Sequence, residues 1–150
     1  LRLSGGATIF LGKSGFITAD IDYLDYSKSR INSRDFNAGA DNQQIRALFG
    51  QTLNYRVGGE FRFDIRRVRG GYGFYGDPFV NSSFDRRTQQ YSGGLGVRLQ
   101  AMYVDFALTS TNFDQLYNSF PVEEGGFNIG PFTEIRNNIT SGMLTFGFNF

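Results

Sequence analysis

The sequence predicts an all-β protein built around an antiparallel sheet. In seven separate segments, apolar residues recur at every second position, as they do along a strand with one apolar face. The 150 residues include 20 glycines, 17 phenylalanines and 8 tyrosines but only 3 prolines, a composition typical of strands and tight turns. The last segment shows the pattern clearly, because Leu144, Phe146, Phe148 and Phe150 share one face.

The first two predicted strands cover residues 2–11 and 16–26 and are joined by a tight glycine-containing turn. The alternation loses its phase after Tyr23, which indicates a β-bulge. The third and fourth strands, residues 53–65 and 68–76, form the clearest hairpin, with its turn near Arg66.

The remaining strands are the fifth and sixth, over residues 90–99 and 102–111, and the seventh, over residues 140–150. A long loop, residues 112–136, precedes the seventh strand. Another long connection, residues 27–50, contains a capping-box pattern from Asp41 to Gln44 followed by Ile45, Leu48 and Phe49 at helical spacing. We expect a short helix whose apolar side chains either bind a ligand or pack on the rim of the sheet.

The lengths of the connections indicate what surrounds the sheet. Short turns alternate with longer loops, as in outer-membrane β-barrels with periplasmic turns and extracellular loops. Mean hydropathy is −0.30 and the chain has no apolar run long enough for a transmembrane helix, but a strand of about ten residues crosses a bilayer. We therefore predict an antiparallel transmembrane β-barrel in the outer membrane of a Gram-negative bacterium, with a periplasmic carboxyl terminus, in contact with the lipid bilayer and lipopolysaccharide.

The count of seven strands is odd, whereas bacterial barrels made from one chain have an even number. An open sheet would also leave two unpaired edges in lipid. We therefore expect residues 1–150 to be the carboxyl-terminal fragment of a single barrel domain, completed by the amino-terminal part of the barrel. A soluble barrel with the apolar face turned inward around a ligand is the alternative.

Composition argues against catalysis. The chain has no histidine and no cysteine, so the usual general base, thiol nucleophiles and common transition-metal ligands are missing. We expect no enzyme activity, cofactor or metal site, and the net charge of +1 makes nucleic acid an improbable partner. Gly71 to Gly76 matches a dinucleotide-binding motif literally, but it lies within a strand and precedes no helix.

The polar face of the strands carries charged side chains that are predicted to point into the barrel. These could form a polar conduit or a surface that docks a plug, or they could be an ion-pair network that fills the interior. Aspartates of the second strand should lie near arginines of the third. The predicted set is Asp20, Asp22, Arg56, Glu60, Arg62, Asp64, Arg67, Arg69, Arg98 and Asp105.

Aromatic residues are assigned two further roles. Those near strand ends, such as Phe16 and Phe63, are expected in girdles at the membrane interfaces. Phe146, Phe148 and Phe150 are interpreted as a signal recognised by the barrel-assembly machinery.

Three segments carry a family resemblance. They are LNYRVGGEFRF at residues 53–63, VRGGYGFYGDPF at residues 68–79 and GFITADIDYLDYSK at residues 15–28. Together with the phenylalanine-rich end, they resemble the long-chain fatty acid and aromatic hydrocarbon transporter family of outer-membrane proteins, in its Bacteroidota-type form. The similarity covers nearly the whole chain, as the carboxyl-terminal half of that family.

The resemblance implies a fourteen-stranded barrel with an amino-terminal hatch, of which this chain would supply seven strands. It also implies that hydrophobic small molecules are captured near the extracellular loops and cross the barrel wall passively. No ligand residue can be transferred from the family. A small structural or adhesion-type barrel whose loops bind a partner, and a soluble β-barrel lipid carrier, are the alternative functions.

Overall fold

The computed structural model describes residues 1–80, 84–118, 120, 123–124, 127–128 and 131–148. Its main sheet contains β1 Arg2–Phe10, β2 Gly15–Asp25, β3 Gln51–Phe63, β4 Arg66–Tyr75, β5 Thr88–Arg98, β6 Met102–Asn118 and β9 Phe132–Phe148. Between β6 and β9, a small hairpin pairs β7 Glu123–Glu124 with β8 Phe127–Asn128. The loop after β2 contains a 3₁₀ turn, Tyr26–Lys28, and the helix α1, Gly39–Leu48.

The seven strands pair in the order β1-β2-β3-β4-β5-β6-β9, and every neighbouring pair is antiparallel. The prediction of an all-β, seven-stranded antiparallel sheet is therefore confirmed. Within the described residues the sheet is not closed into a barrel, so β1 and β9 are its edges. Because the strand directions alternate across seven strands, β1 and β9 run in the same direction.

The turn of the β3–β4 hairpin contains one residue in the left-handed backbone conformation. The turn between β3 and β4 consists of Asp64 and Ile65, slightly earlier than predicted, and Asp64 has a φ of 54°. Aspartate tolerates this left-handed conformation better than most residues.

The predicted bulge after Tyr23 is wrong, because Leu24 and Asp25 pair in unbroken register with Thr52 and Gln51.

The loop predicted over residues 112–136 is also wrong, because much of it is strand. Pairing between β6 and β9 continues from Asn112↔Asn138 to Asn118↔Phe132. Polar residues replace apolar ones on one face of this extension, so the alternation that identifies a strand disappears although the backbone hydrogen bonds continue.

The predicted helix is present, but the predicted capping box is not. The helix begins at Gly39 after the N-cap residue Ala38, which has no capping side chain, and Asn37 Oδ1 accepts a hydrogen bond from the Gly39 N–H at 2.9 Å. Instead of capping, the Asn42 side chain bonds both backbone groups of Ile31, accepting from its N–H at 2.7 Å and donating to its carbonyl at 2.9 Å. The helix is thereby tied to the preceding loop. No helix in the described part of the chain is long and apolar enough to cross a membrane.

The sheet has one apolar face that the described residues leave uncovered. Leu95, Phe146 and Phe148 are 60%, 60% and 65% exposed, whereas the buried hydrophobic residues among those described are Ala38 and Phe84. A protein that folds around its own core shows the reverse distribution. Something outside the described residues must cover this face.

Candidate functional site: an ion-pair network on the polar face

The register of the sheet gathers the predicted charged residues on the face opposite the apolar one. Asp20 pairs with Arg56, Glu60 with Arg69, and Gly96 with Asp105. Directly paired residues of an antiparallel sheet point to the same side. Nine of the ten predicted residues therefore share this polar face, whereas Asp64 lies in the β3–β4 turn.

A first cluster surrounds Asp22. Its carboxylate accepts hydrogen bonds from Arg2 at 3.0 Å and Ser4 at 2.5 Å, and Arg56 Nη2 lies 3.3 Å from Oδ2. The expected pairing between the second and third strands is thus present as Asp22–Arg56. Arg2 and Ser4 were not among the predicted residues. Finding them needs the β1–β2 register, which places Ser4 opposite Asp22.

A second and larger cluster surrounds Glu60, whose side chain is only 7% exposed. Arg62 Nε lies 2.7 Å from Oε1, Arg67 Nη1 lies 3.2 Å from the same oxygen, and Arg69 Nε lies 2.6 Å from Oε2. Both carboxylate oxygens therefore accept charge-assisted hydrogen bonds, the stronger class of protein hydrogen bond.

Asp105 extends this second cluster across the sheet. It accepts a hydrogen bond from Arg69 Nη1 at 2.9 Å, and Arg98 Nη1 lies 2.9 Å from its other oxygen. The cluster thus connects β3, β4, β5 and β6. It contains four arginines and two carboxylates, and so carries a formal charge of +2.

Glycines on β5 make this cross-sheet contact possible. Arg69 on β4 lies opposite Gly94, and Asp105 on β6 lies opposite Gly96. A Cβ atom at Gly96 would clash with Asp105 Oδ1 and would lie 3.6 Å from Arg67 Cβ. Because β5 carries no side chain at these positions, Arg69 reaches over it to Asp105.

The polar face also contains Phe16, which corrects the predicted aromatic girdle. Phe16 pairs with Glu60, and the guanidinium carbon of Arg62 lies 6.0 Å from its ring centroid. Its neighbour Ile17 pairs with Gly59 and takes the apolar face. Phe16 therefore lies on the polar face, whereas a residue of the predicted girdle would lie on the apolar face.

Two predicted network residues lie outside the clusters. Asp20 is exposed and forms no ion pair with any described residue, because Arg56, although directly opposite, pairs with Asp22. Asp64 occupies the turn and likewise takes part in no ion pair in the described ranges. Arg62 pairs with Glu60 rather than with an aspartate of β2.

The three predicted ligand candidates, Ile45 and Leu48 in α1 and Phe49 just after it, differ in their contacts and exposure. Phe49 forms a β-bridge with Phe79, with ring centroids 4.7 Å apart. The Arg86 guanidinium carbon lies 4.3 Å from the Phe79 ring centroid, which completes a small packed cluster between two loops. Ile45 is half-buried and Leu48 is 51% exposed. Phe49 therefore packs against the loop residue Phe79, and Leu48 is exposed.

The predicted assembly signal is described in part. Phe146 and Phe148 lie on the apolar face of β9, opposite Val104 and Met102. Phe150 lies outside the described residues.

Comparisons with known protein families, with curated proteins and with solved structures found no match for this chain. Among the described residues, no group of three or more carboxylates is arranged to hold a metal ion. The chemistry of the site is therefore described from its own groups. Its carboxylates are bound by guanidinium groups, and the surplus of positive charge faces the space beside the sheet.

We predict that Glu60→Gln destabilises the protein more than Asp20→Asn, a matched change on the same face. The neutral amide leaves three arginine side chains without their shared carboxylate, so the free energy of unfolding should fall by about 1–3 kcal/mol. Asp20 has no ion pair to lose among the described residues, and its change should stay within about 0.5 kcal/mol. Urea unfolding in lipid vesicles measures both. Equal losses would show that the network does not stabilise the sheet.

Proposed function

We propose that this chain forms part of the wall of an outer-membrane β-barrel, with its apolar face toward lipid and its polar face toward the interior. The observation that carries the proposal is the uncovered apolar face opposite an ion-pair network. Lipid would cover the exposed Leu95, Phe146 and Phe148 side chains without any further protein layer. A soluble carrier would instead turn these side chains inward and leave Glu60 and its arginines in water, where ion pairs contribute little.

The strand lengths support the same proposal. The seven strands contain 9 to 17 residues, and about 9 to 11 tilted residues cross a bilayer. On β6, the residues on the apolar face are hydrophobic from Met102 to Leu108 and polar from Ser110 to Asp114. A membrane-spanning strand changes from hydrophobic to polar residues on its lipid-facing side where it leaves the hydrocarbon core of the bilayer, and this change agrees with such a boundary.

The strand directions support completion by further strands. A wall closed by pairing β1 with β9 would need one parallel pair, since both run in the same direction. An odd number of additional strands closes the barrel with antiparallel pairs throughout and makes the total even. Seven more would give the fourteen strands of the family that the sequence resembles. We therefore propose a half-barrel completed by an amino-terminal half.

For the complete barrel we propose passive transport of hydrophobic small molecules such as long-chain fatty acids or aromatic hydrocarbons, with no covalent chemistry. The family resemblance is the main support. The loops add a second one, because they expose apolar side chains at Ile31, Phe36, Leu48 and Val80, which are 42%, 56%, 51% and 43% accessible. Apolar side chains exposed at the mouth of a barrel could capture a hydrophobic ligand.

We predict that arginine is tolerated on one face of β5 and not on the other. Leu95→Arg places a charge on the proposed lipid face and should lower the free energy of unfolding in bilayers by about 2–4 kcal/mol. Ser92→Arg, on the polar face of the same strand, should cost under about 1 kcal/mol. Tyrosine fluorescence during urea unfolding reports both, since the chain has no tryptophan. Comparable losses at the two positions would contradict the assignment of the faces.

Transport is tested in cells that lack the gene. Uptake of radiolabelled oleate should fall on deletion and return with the wild-type gene, whereas uptake of a hydrophilic solute such as glycine should not change. Leu48→Asp should reduce oleate uptake and Gln44→Asp, a matched change on the same helix, should not. Unchanged oleate uptake after deletion would favour the structural or adhesion-type barrel instead.

A further inference from the structure

A polar cavity of about 390 Å³ lies at the end of the sheet remote from the Asp64–Ile65 turn. It forms where residues 85–87 approach the extended part of the β6–β9 hairpin. Gln89, Asn112 and Asn138 lie side by side on β5, β6 and β9, on the same face as Leu95, Phe106 and Leu144 but farther from the Asp64–Ile65 turn. The cavity is therefore separate from the ion-pair network on the opposite face.

The charges around the cavity cancel. Asp85 pairs with Arg87, and Arg136 Nε lies 3.6 Å from Asp114 Oδ1. The two acidic and two basic side chains give the lining a formal charge of zero. An anion or a cation would gain little net attraction there, so the lining favours a neutral ligand.

The remaining lining groups are planar and polar. Asn138 Nδ2 donates to Asn112 Oδ1 at 2.5 Å, so the amides of neighbouring strands form a ladder that offers both donors and acceptors. The guanidinium of Arg136, whose side chain is 89% exposed, adds several N–H donors. Phe113 also borders the cavity, but its register with Thr88 and Asn137 places its side chain on the opposite face of the sheet.

We propose that this cavity binds a neutral saccharide. Adjacent hydroxyl groups of a sugar both donate and accept hydrogen bonds. They match amide groups, which also do both, carboxylates, which accept, and guanidinium groups, which donate. The volume lies at the lower end of the range of small-molecule sites, which suits a mono- or disaccharide. The proposal does not depend on transport of hydrophobic molecules.

Saturation-transfer NMR on the full-length protein tests it, in lauryldimethylamine oxide because that detergent carries no sugar. The probes are glucose, galactose, mannose, N-acetylglucosamine, maltose and lactose, with inorganic phosphate as an anionic comparison. At least one saccharide should bind and phosphate should not. Asn138→Ala and Arg136→Ala should each weaken saccharide binding about tenfold, the effect of losing one good hydrogen bond.

Arg66→Ala is the matched control, because Arg66 is an exposed arginine beside the β3–β4 turn at the other end of the sheet, and it should leave binding unchanged. Tighter binding of octyl glucoside than of glucose would identify the headgroup of a lipid as the source of the sugar, and equal binding would identify a free saccharide. The proposal is overturned if no saccharide binds, if both cavity variants bind as well as the wild type, or if phosphate binds in place of sugar.

Discussion

The apolar face of the sheet sets the main physical constraint on this protein. Leu95, Phe106 and Leu144 lie next to one another across three strands, and each is at least 44% exposed. Apolar surface left in water costs about 25 cal/mol per Å² relative to burial, so a face of this size needs a cover. The lipid cover that we propose agrees with the strand lengths and with the change from hydrophobic to polar residues between Leu108 and Ser110 on this face of β6.

The opposite face is stabilised in another way. Glu60 and Asp105 connect four strands through arginines, and Gly94 and Gly96 leave the space in which those arginines cross β5. Charge networks of this kind contribute most where water is partly excluded and their hydrogen bonds are satisfied. In the proposed barrel the network would stiffen the wall from the inside, while its surplus of positive charge would face whatever occupies the interior.

Period-two alternation identified all seven strands and most of their faces, because each strand has one hydrophobic side. It failed where that contrast is absent. The polar extension of β6 and β9 looked like a loop, and Phe16 looked like an outward aromatic although its position in β2 places it beside Glu60. Alternation within one strand also says nothing about register between strands. The ion pairs of Asp22 with Arg2, and the separation of Asp20 from the network, therefore required the structure.

The most direct test concerns the orientation of the two faces in a bilayer. The chain has no cysteine, so single cysteines can be placed along β6 from 104 to 109, spin-labelled and reconstituted in lipid vesicles. Accessibility to oxygen and to a water-soluble nickel complex is then measured by EPR. We expect oxygen to reach labels at Val104, Phe106 and Leu108, and the nickel complex to reach those at Asp105, Ala107 and Thr109. The reverse pattern, or no alternation, would contradict a lipid-facing apolar surface.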